Sequence, residues 1–139
     1  VGSSITVLQR NAVDCGHFVL AATKGWNTPL WEGFKASEDT KLYQRELARM
    51  KMTLEKAVDL KKPEQKLIYM MHFPPVTSGE PSEFAECLAD SGVSLCLYGH
   101  LHGSWCEKVN MEYRGVKYLL TSADFLNFKP LDITSEVIN

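Results

Sequence analysis

The fold is decided by two stretches, KLIYMMHFPP (residues 66–75) and VSLCLYGHLHG (residues 93–103). Each begins with an apolar run of strand length, which is typical of a strand buried on both faces of a parallel sheet. Between them, residues 82–91 carry apolar side chains at helical spacing, with Pro81 before and Gly92 after. Residues 66–98 are therefore predicted to form a β-loop-helix-β unit with two parallel strands.

A long helix is predicted upstream of this unit, over residues 38–60. Ser37 is the expected N-cap, and Pro63 ends the helix after two lysines. The apolar side chains at helical spacing, expected to share one buried face, are Leu47, Met50, Leu54, Ala57 and Val58.

The two ends of the chain show β patterns. Residues 3–26 predict a hairpin or meander that turns at Cys15 and Gly16, and residues 104–128 predict a hairpin that turns at Arg114 and Gly115. Residues 128–133, FKPLDI, are expected to form an edge strand. We predict a single domain of mixed α/β class over residues 1–139.

The composition excludes several classes of protein. Hydrophobic residues make up 45% of the 139 positions and charged residues 23%, as in globular domains rather than disordered chains. A net charge of −2 argues against a nucleic-acid partner. No apolar run approaches the roughly 18 residues of a membrane span, and the first residues lack the pattern of a secretory signal. The four cysteines form no CxxC pair, so we expect free thiols in the cytoplasm.

Three of the four histidines, His72, His100 and His102, follow the two central predicted strands. Ligands bind at the carboxyl ends of parallel strands, so we expect these imidazoles to converge there. In extended backbone, residues 100 and 102 would project the same way, and the flanking Gly99 and Gly103 would allow sharp turns. Neutral imidazole is a common ligand of zinc and iron, so the trio predicts a metal site. His17, placed within a strand, is expected to be an ordinary core or surface residue.

These motifs carry a family resemblance. MHFPP (71–75), YGHLHG (98–103) and SADFLNFKP (122–130) resemble the C-terminal half of a calcineurin-like metallophosphoesterase of the bacterial phosphohydrolase branch. TKGW (23–26) and the long helix also look like that branch, so the resemblance covers nearly the whole chain. It implies a four-layer α/β/β/α sandwich that hydrolyses a small-molecule phosphoester at two divalent ions, with Mn, Fe and Zn all suitable. By the same resemblance, one metal would be bound by His72 and His100 and the other by His102.

The chain departs from that family in one large respect. The family's Asp-x-His motif, its metal-bridging aspartate and its Asn-His pair belong to the N-terminal half of the fold, and residues 1–139 contain no DxH, GD or GNH. Two metal ions need about ten donor positions, of which three histidines fill three, and Asp124 is the one carboxylate with a plausible strand-end position. The chain is therefore expected to be the C-terminal portion of the domain, without catalytic residues of its own and inactive alone.

Two alternatives stay open at this point. One is a mononuclear hydrolase with a three-histidine zinc site and water as the fourth ligand. The other is a non-catalytic α/β module that binds metal weakly or self-associates through the apolar surface that the absent half would cover. Trp26 and Asn127 are weaker candidates for substrate binding, and the Pro-rich loop over residues 74–83 is expected to lie beside the metal edge.

Overall fold

The chain forms a mixed α/β domain built on one six-stranded sheet in the order β1-β2-β3-β6-β8-β7. The structure is a computed structural model that describes residues 3–138. The strands are β1 (Asn11–Asp14), β2 (Phe18–Thr23), β3 (Lys66–Met71), β4 (Val76–Thr77), β5 (Glu80–Pro81), β6 (Leu95–Tyr98), β7 (Met111–Tyr113) and β8 (Val116–Leu120), and the helices are α1 (Ala36–Leu60), α2 (Glu83–Asp90) and α3 (Thr134–Val137).

The four central strands β2, β3, β6 and β8 run parallel, and an antiparallel strand closes each edge. The parallel strands need crossovers: α1 connects β2 to β3, α2 connects β3 to β6, and a segment that includes β7 connects β6 to β8. The β-loop-helix-β unit and both terminal hairpins are confirmed, with turns at the predicted glycines. As a result, the carboxyl ends of all four parallel strands meet at one edge of the sheet.

One face of the sheet carries the main core, because both long crossover helices pack on it. Alternate residues of the parallel strands, among them Tyr69, Cys96 and Tyr118, are completely buried there. From the helices, Met50 of α1 and Phe84 of α2 reach the same cluster with no exposed surface. The predicted helical periodicity is confirmed except at Val58, which is 45% exposed and lies outside the buried stripe.

The opposite face of the sheet is apolar but only partly covered. Ile68 and Leu95 are buried against α3 and the residues before it. Farther along β3 and β6, Met70 is 37% exposed and Leu97 keeps partial exposure, as does Leu20 on the neighbouring β2. A half-buried apolar face of this kind is where a sheet packs a second layer.

Helix α1 begins before the predicted position, with Lys35 rather than Ser37 at the N-cap. The cap is made by Asp39, whose carboxylate accepts the backbone N–H of Lys35 at 2.8 Å and the indole N–H of Trp26 at 2.9 Å. These hydrogen bonds, that from Lys35 first, lower the pKa of the Asp39 carboxyl below its usual value. The predicted Ser37 cap is wrong because the helix already begins at Ala36, and the ionised carboxylate of Asp39, one turn into the helix, reaches back to the backbone N–H of Lys35.

Two other predictions fail at surface positions. Residues 128–133 form no edge strand, because Asn127 and Phe128 adopt left-handed backbone with φ of 52° and 57° and turn the chain toward α3. His17 is not within a strand but exposed in the β1–β2 turn.

All four cysteines are free thiols. Within residues 3–138, no helix has the length and apolar character that crossing a bilayer requires.

Candidate metal centre

Two histidines meet at the carboxyl edge of the sheet because their strands are neighbours. β3 and β6 pair in parallel up to Met71 and Tyr98, so the residues that follow leave the sheet side by side. The backbone N–H of Gly99 then donates to the carbonyl of His72 at 3.2 Å, which extends the pairing beyond the strands. This contact places His100 against His72 across the sheet edge.

The imidazole nitrogens of these two histidines approach closely. His72 Nε2 lies 3.2 Å from His100 Nδ1, and the ring centres are 5.0 Å apart at an interplanar angle of 75°. If both nitrogens bound one metal at about 2.05 Å, that separation would correspond to an N–metal–N angle of about 100°. This value lies between the right angle of octahedral coordination and the tetrahedral angle.

The ring centres supply a second test of the same arrangement. A metal on the axis of both lone pairs would hold the centres about 5 Å apart, which is close to the 5.0 Å observed. The same two nitrogens also meet the geometry of a ring-to-ring hydrogen bond, whose direction depends on the tautomers. His72 and His100 therefore fit as two ligands of one metal ion.

The surroundings of His100 favour its neutral, metal-binding form. Burial lowers the pKa of the imidazole, and the neighbouring His72 and His102 lower it further. The ring of Phe73 lies 4.5 Å from the His100 ring, centre to centre, at a tilt of 35°, so it supports one face. His100 also has left-handed backbone, with φ of 74°, a conformation that non-glycine residues adopt mainly at turns and functional sites.

The third histidine is held by a carboxylate. His102 Nδ1 donates to Asp124 Oδ1 at 2.7 Å, and the backbone N–H of Gly103 donates to Asp124 Oδ2 at 3.1 Å. These two hydrogen bonds, that from His102 first, lower the pKa of Asp124. Because an ionised carboxylate only accepts hydrogen bonds, Nδ1 carries a proton, and in the neutral ring Nε2 is then the nitrogen with the lone pair. Asp124, expected at a strand end, is thus a partner of His102.

The three histidines do not form one three-ligand cluster. Within residues 3–138, no three His, Cys, Asp or Glu side chains are arranged to hold a metal ion together. The extended backbone expected at residue 100 is wrong, because His100 has left-handed φ, and the sharp turns fall at His100 and Gly103 rather than at Gly99. His100 and His102 nevertheless line the same cleft. This geometry offers nothing for the mononuclear three-histidine alternative.

A cleft of about 800 Å³ opens beside His100 and His102. Three loops form its walls, and they lie after β2, β3 and β6 in the chain. Its side chains include Trp31 and Glu32 of the first loop, Glu80 of the second, and Trp105, Glu107 and Lys108 of the third. The Pro-rich loop thus lies beside the histidines, where it was predicted.

The two weaker substrate candidates lie apart from this cleft. Among the described residues, neither Trp26 nor Asn127 lines it. Trp26 donates its indole N–H to Asp39 and packs against Phe73 with ring centres 5.1 Å apart. Asn127 is exposed in the turn that closes on Asp124.

Two residues of the site were not found by sequence reasoning. Phe73 follows His72 directly, and an aromatic residue adjacent to a candidate ligand was the available signal. The cleft residue Trp105 stands three positions after His102, within a stretch that was assigned only to a hairpin.

Comparison of the chain with models of protein families, with curated proteins and with solved structures found no match.

Proposed function

We propose that this chain contributes the histidine ligands of a metal-dependent phosphohydrolase that acts on a small-molecule phosphoester. The observation that carries the proposal is the convergence of His72 Nε2 and His100 Nδ1, 3.2 Å apart, at the carboxyl edge of a parallel sheet. When bound, divalent metal ions would supply a water of lowered pKa and neutralise charge on the phosphoryl oxygens. Mn, Fe and Zn all suit the donor set.

The residues of the chain have distinct tasks in this proposal. His72 and His100 hold one metal, and Phe73 keeps the His100 ring in place. His102 presents Nε2 toward a second metal, while Asp124 fixes the tautomer of its ring, as outer carboxylates do at other metal sites. The lack of a single three-ligand cluster among residues 3–138 is the reason to propose two metals rather than one.

The donor count requires ligands from outside these 139 residues. Two ions need about ten donor positions, and the described residues offer the three imidazoles with no further cluster of carboxylates or histidines. We therefore propose that the chain is inactive alone and that a bridging carboxylate and a general acid come from a further polypeptide segment. The free thiols are compatible with the cytoplasm as its proposed compartment.

The partly covered face of the sheet supports the same proposal. Leu20 and Leu97 are partly exposed and Met70 is 37% exposed, so they form an apolar surface that α3 and the residues before it cover only in part. A second sheet packed on that surface, with helices outside it, would complete a four-layer sandwich. The same surface favours the second candidate function, a non-catalytic interaction module that self-associates.

Hydrolysis of bis(4-nitrophenyl) phosphate with added Mn²⁺ tests the proposal. We expect negligible turnover by residues 1–139 and measurable turnover by an N-terminally extended protein. In the extended protein, His100→Ala should lower both metal content and turnover, whereas the exposed His17→Ala, at the opposite end of the sheet, should change neither. Equal rates for the two lengths, or a fully active His100→Ala variant, would contradict the proposal.

A further inference from the structure

Two tryptophans expose unusually large surfaces in the cleft beside the histidines. Trp31 is 39% exposed and Trp105 is 68% exposed, and both line the cleft. Trp105 ends the short 3₁₀ turn that begins directly after His102, so its position is tied to the metal edge. Exposed indoles in a concave site offer flat faces on which planar rings stack.

The Trp31 indole is held in place by a glycine. A Cβ added to Gly33 would lie 2.4 Å from the Cη2 and Cζ2 atoms of Trp31, so the six-membered ring rests on the glycine backbone. Backbone hydrogen bonds from Trp31 to Thr28 and from Phe34 to Trp31 fix the loop on both sides. The indole is therefore presented to the cleft by the loop itself.

The charges of the cleft limit what else a ligand carries. Glu32, Glu80 and Glu107 line it, against Lys108 as the one lysine or arginine among the lining residues that the structure describes. Acidic walls repel anionic groups, so a second phosphate would be disfavoured away from the histidines. The cleft volume of about 800 Å³ lies within the range of small-molecule sites.

We infer that this cleft binds the flat aromatic group of a phosphoester substrate that carries a single phosphate, with Trp31 and Trp105 as the stacking residues. The inference rests on the proposed function, because the phosphate would lie at the histidines. The cleft would therefore prefer compounds of the nucleoside monophosphate type. Sugar phosphates lack the flat aromatic ring, and the glutamates of the cleft repel polyphosphates.

Ligand-observed NMR titrations of the metal-free chain test the stacking. Adenosine should bind measurably, ribose 5-phosphate should bind at least tenfold more weakly, and ADP should bind more weakly than AMP. Trp105→Ala should raise the Kd for adenosine about tenfold, the usual scale for loss of one stacking partner. Gly33→Ala should have a similar effect, because the added Cβ displaces the Trp31 indole. The backbone φ at Gly33 lies outside the left-handed region, so alanine fits the backbone there.

Two controls separate this inference from the proposed function. Met52→Ala, which removes an exposed apolar side chain from α1, should leave adenosine binding unchanged. His100→Ala should weaken Mn²⁺ binding, which is measured separately from adenosine binding. Metal binding without adenosine binding would overturn the inference alone, and adenosine binding without metal binding would overturn the proposed function. Wild-type adenosine affinity in both cleft variants would also overturn the inference.

Discussion

Removing one or both imidazoles of the His72 and His100 pair distinguishes a shared metal from two independent side chains. A structural zinc site with four ligands binds with about 10–16 kcal/mol, and the two-imidazole chelate is expected to supply roughly 3 kcal/mol of this that a single remaining imidazole does not retain. Loss of either histidine should therefore raise the Kd for Zn²⁺ about 100-fold. The 3.2 Å separation of the nitrogens means that the chelating pair is already formed before the metal binds, so each single variant also loses this preorganisation.

Isothermal titration of Zn²⁺ into His72→Ala, His100→Ala and the double variant measures the coupling. If the two nitrogens share an ion, the double variant should be little weaker than either single variant, because each single change already destroys the chelate. His17→Ala provides the matched control, since it removes an exposed histidine at the other end of the sheet. Independent, additive effects of the two histidines, or a Zn²⁺ affinity unchanged in either single variant, would refute the reasoning.

Three further predictions concern the support of the site and the fold. In the Asp124→Ala variant, ¹⁵N NMR should show that His102 loses its preference for the Nδ1-protonated tautomer. Metal affinity at His102 should fall about 10- to 100-fold. An unchanged tautomer would show that Asp124 does not position the ring. The pKa of Asp39 is lowered in the folded chain, so its stabilising effect is present above the unfolded pKa of about 3.9 and is lost as the pH falls through the folded pKa. As the pH is lowered from about 5 to about 2, the Tm of the Asp39→Asn variant should therefore fall less steeply than the Tm of the wild-type chain. Parallel curves of Tm against pH would contradict this. Leu97→Lys should reduce self-association in sedimentation velocity by charging the open sheet face, and an unchanged oligomer distribution would show that copies do not meet there.

The elements that local pattern specifies were predicted correctly. The apolar runs that became β3 and β6 predicted central parallel strands, although Met70 and Leu97 on one face of the sheet stay partly exposed. The periodic stripe of α1 predicted its buried face because Leu47, Met50 and Leu54 recur at the helical period. The placement of His72 beside His100 followed from the same pairing, because neighbouring parallel strands end at one edge.

The failures lie where distant contacts override local preference. Ser37 is a good N-cap residue, but the Asp39 carboxylate satisfies both the Lys35 backbone and the Trp26 indole, a partner 13 residues away. His102 was predicted to face the same site as His100. It hydrogen-bonds to Asp124, which lies 22 residues farther along the chain. Local periodicity contains no signal for such pairs, because they form only when separate strand ends meet.

The most direct test of the metal site is the position of a bound ion in crystals of the chain grown with Mn²⁺. The account predicts an anomalous scattering peak about 2 Å from both His72 Nε2 and His100 Nδ1, a normal metal–imidazole distance. Absence of any peak at this edge at saturating Mn²⁺ would contradict the account.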